Sequence, residues 1–193
     1  MLRRRKPRVL RLAAPPPGMG DEAPAPAPAR IDRALDVVLE VTGATRSVMM
    51  FTLHYRLTIS NRTGQAVNDV NVAALLACAR RGTANAAAPG AAQRLERIDR
   101  ISPHQNLALT GNVQLPLSEI APLYQGQVPM FIPLVHVTLE SEGQSALTRS
   151  FVIGTPNAAG TGRLHPILLD TPPGSISGLS AQRIAVPEIS AAA

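Results

Sequence analysis

The ten residues from Phe51 to Ser60, FTLHYRLTIS, alternate without a break. Phe51, Leu53, Tyr55, Leu57 and Ile59 share one parity, and Thr52, His54, Arg56, Thr58 and Ser60 share the other. A period of two puts the first set on one side of an extended chain and the second set on the opposite side. One apolar and one polar side mark a strand of an antiparallel sheet with one face on a core and one in water.

The neighbouring segments follow the same rule. Asn61-Arg62-Thr63-Gly64 is a turn signal, and Val70, Val72, Ala74 and Leu76 form the inward side of a strand running to about Ala79. Upstream, Leu35–Val41 is rich in β-branched residues and ends at Thr42–Gly43, which reads as a turn. Residues 80–94, RRGTANAAAPGAAQR, are small and polar and read as a loop, with a helical turn near Gln93–Arg97. Ile98–Ile101 is a short strand and Ser102–Asn106 a turn. Leu107, Leu109, Val113 and Leu115 share parity around Gly111, which reads as a bulge. Leu117–Leu123 is a connection with a helical turn begun at Ser118.

Met130–Glu140 is the most hydrophobic strand, with Val135, Val137 and Leu139 inward and Pro133 favouring an edge or a bulge. Ser141–Gln144 is a hairpin turn, Ala146–Ile153 the returning strand and Gly154–Gly162 a loop. His165–Leu169 and Leu179–Val186 are two further strands, divided by the turn Pro172-Pro173-Gly174. About seven short antiparallel strands and no long amphipathic helix predict an all-β domain, an immunoglobulin-like antiparallel β-sandwich in preference to a small barrel. The domain is expected to span residues 34–188, with a frayed C-terminus at 189–193.

Residues 1–33 differ in kind. They hold eight basic residues against three acidic ones, a net +5, while residues 34–193 hold eleven against ten, a net +1. Seven of the 18 prolines lie in residues 1–30, and Ala23–Ala29 alternates alanine and proline. Proline fixes φ and lacks an amide donor, so this reads as a disordered, extended, basic tail. The basic arm Arg3, Arg4, Arg5, Lys6, Arg8 and Arg11 would be the contact with an anionic surface, either a membrane or nucleic-acid phosphates. Val9 and Leu10 are followed at once by Arg11, too short an apolar run for a secretory signal. No stretch is apolar for long enough to span a membrane, so a cytoplasmic location is expected. An Arg cluster, a Pro/Ala spacer and then a domain is also the order seen on the cytoplasmic side of a membrane anchor, which an upstream start would supply.

Composition narrows the function classes. The 193 residues are 45% hydrophobic and 29 of them are alanine, which still leaves enough large apolar side chains for one core. Three Phe, two Tyr and no Trp argue against base- or sugar-stacking platforms. One cysteine excludes an internal disulfide or a multi-cysteine metal site, and Cys78 reads as a small buried hydrophobe. His54, His104, His136 and His165 are at least 29 residues apart, so a metal site would have to be assembled by the fold. His54 and His136 are the pair on strands, and both read as surface side chains on polar faces. Gly174-Ser175-Ile176-Ser177-Gly178 lacks the central serine of a nucleophile elbow, and Gly160-Thr161-Gly162-Arg163 lacks the ending of a phosphate loop. Asn61-Arg62-Thr63 matches a glycosylation sequon but reads as a turn. Catalytic, cofactor-binding and metal residues are therefore not expected, nor any cofactor.

Three segments carry a family likeness. Leu53–Leu76, LHYRLTISNRTGQAVNDVNVAALL, resembles the opening hairpin of bacterial Ig-like conserved-repeat and CARDB-type modules, where a strand ends in Asn-x-x-Gly and the next follows a short polar turn. Ile101–Pro116, ISPHQNLALTGNVQLP, resembles their later Pro-x-x-x turn and strand, with His104-Gln105 in place of the usual Gly-Glu or Gly-Asp. Val128–Gly154, VPMFIPLVHVTLESEGQSALTRSFVIG, resembles the closing hairpin of a group of uncharacterised bacterial proteins. The resemblance implies a sandwich used for scaffolding, adhesion or assembly, without catalytic residues. The expected role is a non-catalytic module binding another protein through exposed sheet edges, with no specific nucleic acid as partner. The alternatives are a membrane-proximal domain held by the basic arm, and an enzyme whose site is assembled from distant strands.

Overall fold

The alternation at Phe51–Ser60 becomes the inner strand of an antiparallel sheet. The structure, a computed structural model, describes residues 30–80, 92–157 and 162–184. The chain begins with one helical turn, α1 (Ile31–Ala34), and then runs as strands β1 (Leu35–Arg46), β2 (Met50–Asn61), β3 (Val67–Cys78), β4 (Gln93–Ile101) and β5 (Asn106–Pro116). A single 3-10 turn at Leu117–Glu119 leads to β6 (Leu123–Gln125), β7 (Val128–Phe131), β8 (Pro133–Glu140) and β9 (Leu147–Pro156). Four short strands close it: β10 (Leu164–His165), β11 (Ile167–Leu168), β12 (Gly174–Ile176) and β13 (Ser180–Ile184).

All pairings are antiparallel. The first sheet has the order β12-β1-β2-β5, the second β10-β9-β8-β3-β4 with β13 also on β9, and a third, small sheet β11-β7-β6. Phe51, Leu53, Leu57 and Ile59 of β2 have no more than 0% exposure, and Tyr55 has 5%. They share one core with Val70, Val72, Ala74 and Leu76 of β3, Val135, Val137 and Leu139 of β8, and Phe151 and Ile153 of β9. The two large sheets thus bury the faces that the period-two pattern assigned to them.

Where the structure departs from the sequence expectation, the causes are local. Thr42–Gly43 is not a turn: β1 continues to Arg46, and its register on β2 slips by one residue between Val41 and Gly43. Thr42 is the extra residue of a β-bulge. Gln93–Arg97 is strand, an edge strand that pairs only with β3, where Arg94, Glu96 and Arg97 stay exposed. Gly111 is not a bulge, because β5 pairs with β2 without a break from Met50↔Pro116 to Ser60↔Asn106. The glycine is there for Tyr55: a Cβ at Gly111 would lie 2.8 Å from Tyr55 Oη.

Met130–Glu140 is two strands. Pro133, without an amide donor, opens β8 opposite Cys78, while Val128–Phe131 leaves for the small sheet. Proline divides His165–Leu169 in the same way, with Pro166 between β10 and β11. Gly154 belongs to β9 and not to a loop, with the His165 carbonyl packed where its Cβ would stand. Gly174 starts β12, which pairs with the end of β1, so the Pro-Pro-Gly segment feeds a strand.

Ile31 and Ala34 are 1% and 0% exposed, so the packed body includes residues ahead of the expected boundary at residue 34. The tail segment 1–29, including the basic arm, and the C-terminus from 185 lie outside the described residues. No described helix is long and apolar enough to cross a membrane.

Candidate functional site

The bulge in β1 has a consequence for one side chain. Before it, Leu35, Val37 and Leu39 point inward; after it, the inward positions are Ala44 and Arg46. An extra residue exchanges the two faces of a strand. Without it, Arg46 would face solvent, as parity counted along an unbroken strand predicts. With it, Arg46 is 7% exposed and stands level with Phe51 of β2 and Gly174 of β12.

Arg46 lies at the end of the body where β1, β5, β3 and β9 all finish. The small sheet caps that end. Its Phe131 is fully buried and meets Phe51 edge-on, with ring centroids 5.0 Å apart. The guanidinium is tied to the chain beside the cap: Nη1 donates to the carbonyls of Leu169 at 2.7 Å and Leu168 at 3.4 Å, and Nη2 to Thr171 Oγ1 at 3.3 Å. Ser47 begins the β1–β2 turn, and its hydroxyl accepts the N–H groups of Met49 and Met50. That turn is anchored to the 3-10 turn by Leu117 N–H donating to Met49 O.

An open cavity of about 450 Å³ lies here, with Arg46, Ser47 and Thr171 among its walls. Its apolar walls are Val48, Leu117, Ile120, Pro122, Leu169 and Pro173. Around it the surface is unusually apolar. Of the six large hydrophobics exposed among the described residues, five are at this end: Val48, Met49, Tyr124, Val128 and Leu168. The small sheet supplies three of them: Val128 and Leu168 stand with Met130 and Leu123 on its outer side, and Tyr124, level with Pro129, stands on the other side.

The residues singled out by spacing do not converge. His54 is on the outer side of the first sheet and His136 on the outer side of the second, with the core between them. His136 is not a surface residue: it is 5% exposed, and its Nδ1 is 2.7 Å from Ser150 Oγ. Burial holds the imidazole below its ordinary value of 6.5. A Ser–His pair is half of an acyl-transfer site, but Ser150 is 1% exposed and neither group is open to a substrate. Among the described residues, no three of His, Cys, Asp and Glu gather as a metal ion would require.

Cys78 is only half-buried, with Sγ 3.5 Å from the carbonyls of Ala79 and Ala121. Asn61 is 1% exposed, and its Nδ2 donates to the carbonyls of Gln65, Ile101 and Ser102. Its place in a sequon is therefore structural. The loop at Gly160–Thr161 lies outside the described residues.

Sequence reasoning missed both Arg46 and the capping sheet. The available signal for Arg46 was Thr42–Gly43, read as a bulge in place of a turn. No family model and no curated protein matches the chain. Among solved structures, the crystal structure of a β-glucosidase from Kluyveromyces marxianus in complex with glucose aligns at 11% identity and a TM-score of 0.27. The alignment covers 61% of this chain and 14% of that protein, so the chain spans a small part of its length.

Proposed function

We propose that the chain is a non-catalytic, immunoglobulin-like β-sandwich module that docks a partner protein at its capped end. Two features support the fold type. β1, β2 and β5 lie in one sheet and β3, β4, β8 and β9 in the other, so the chain crosses to the second sheet after β2, returns for β5 and crosses again, an interleaved division like the ABED and CFG sheets of immunoglobulin-like sandwiches. The likeness of Leu53–Leu76 to bacterial Ig-like repeats points the same way.

The observation that carries the docking reading is the gathering of Val48, Met49, Tyr124, Val128 and Leu168 at one end. Large apolar side chains scattered singly need no explanation, but a contiguous apolar surface marks a contact site. The sheet edges differ in the same sense. The β4 edge carries Arg94, Glu96, Arg97, Asp99 and Arg100, the charges that keep an edge strand from pairing. The edge strands of the small sheet, β6 and β11, carry no charged residue.

A photo-crosslinking side chain placed at Met49, and separately at Arg97, tests the reading in the native host. We expect a discrete adduct from position 49, its loss when Leu168→Lys is added, and none from position 97. Equal, diffuse labelling from both positions would overturn it.

A further inference from the structure

We propose that the cavity at the capped end binds a carboxylate carried on an apolar group, with Arg46 as its anchor. This rests on the docking reading and deepens it: the carboxylate belongs to the partner protein, at a chain terminus or on an acidic side chain with apolar neighbours.

The first support is the charge of Arg46. It is 7% exposed, and the ion pairs among the described residues engage Arg62, Arg97 and Arg183 but not Arg46. A guanidinium taken out of water without an anion is costly to hold. The second is its unused donors. Bonds to Leu168, Leu169 and Thr171 take three of five N–H groups and leave Nε–H and one Nη2–H. Nε and Nη2 flank the edge that grips a carboxylate side-on. The third is the cavity. Its volume of about 450 Å³ suits a small ligand group, and no acidic side chain lines it. One fixed cation among apolar walls matches a singly charged carboxylate better than a phosphate, which draws on several cations or amide donors. The three bonds that hold Arg46 also pre-organise it, so little rotamer freedom is left to lose on binding.

The test follows the methyl resonances of Val48, Leu117 and Leu169 in the full chain. The probes are N-acetyl-leucine, which mimics a chain terminus, and acetyl-Leu-Glu-Leu-amide, which offers a side-chain carboxylate. Each is paired with a neutral mate, N-acetyl-leucinamide or acetyl-Leu-Gln-Leu-amide. We expect saturable shifts from at least one acid, with its neutral mate weaker by about tenfold or more; the acid that binds identifies the source. Because Arg46→Lys can disturb the cap, Val48→Asp serves as the second variant. Val48 is 79% exposed, so the change should leave the fold intact; both ligands lose the same apolar contact, and the added negative charge should weaken the acids by a clearly larger factor than the neutral mates. Equal binding of acid and mate, no shift from any probe, or acid and mate weakened by the same factor in Val48→Asp would overturn the proposal. A Met49 adduct that survives such a failure leaves docking in place without the charged anchor, and acid binding without the adduct removes the docking reading instead.

Discussion

The side-chain amide of Asn61 holds two crossings between the sheets. It closes β2, donates to Gln65 in its own crossing, and donates to Ile101 and Ser102 where the chain returns from β4 to β5. Its Oδ1 accepts Thr63 N–H at 3.0 Å. Asn61→Ala leaves these groups to find other partners inside the protein, and a buried group left unpaired costs about 1–3 kcal/mol. We expect a loss of about 3 kcal/mol, read as a lower urea midpoint at an unchanged slope. His136 offers a second measurement. Its folded value is lowered by burial, so the unfolded chain binds the proton more readily. The stability from this site is intact above about pH 6.5 and falls as pH drops through that value toward the lower folded one. His136→Gln should flatten this acid-side decline in urea midpoints; parallel pH curves for the two proteins would contradict it.

Between β2 and β5 the register is continuous because Gly111 leaves room for the Tyr55 ring. Gly111→Ala would press a methyl against the phenol and force a shift of the ring, while Tyr55→Phe removes the nearest atom. A double-mutant cycle should therefore show the alanine costing less in the phenylalanine background, with a coupling of about 1 kcal/mol. Additive effects would mean that the backbone, not the ring, absorbs the methyl. The same element shows how far periodicity reaches. Leu107, Leu109, Val113 and Leu115 were assigned to one face from sequence, and Val113 and Leu115 are buried there. The role of Gly111 was not legible, because a glycine that relieves a cross-strand contact and one that makes a bulge look alike in one dimension.

Among the described residues, the packed body reaches back to α1. Ile31 N–H donates to Gln144 Oε1 at 2.8 Å, and Arg62 N–H donates to Ala34 O. A chain starting at Arg30 should melt as the full-length protein does. One starting at Leu35 loses the buried Ile31, a change that should lower the midpoint by about 5–10 °C. The full-length chain and the Arg30 chain also separate the two partner classes by flotation with anionic liposomes. Equal recovery is expected if docking is the function, and recovery that depends on residues 1–29 would favour the membrane-proximal alternative.

Alternation along the chain was enough to assign the all-β class and the inward faces of β2, β3 and β8, because a strand's two sides are decided by neighbours one and two residues away. The small sheet, the switch of Arg46 from outside to inside and the crowding of apolar side chains at one end came only from the fold. Each depends on where a strand breaks, slips by a residue or leaves for another sheet, and those choices are made by partners far along the sequence.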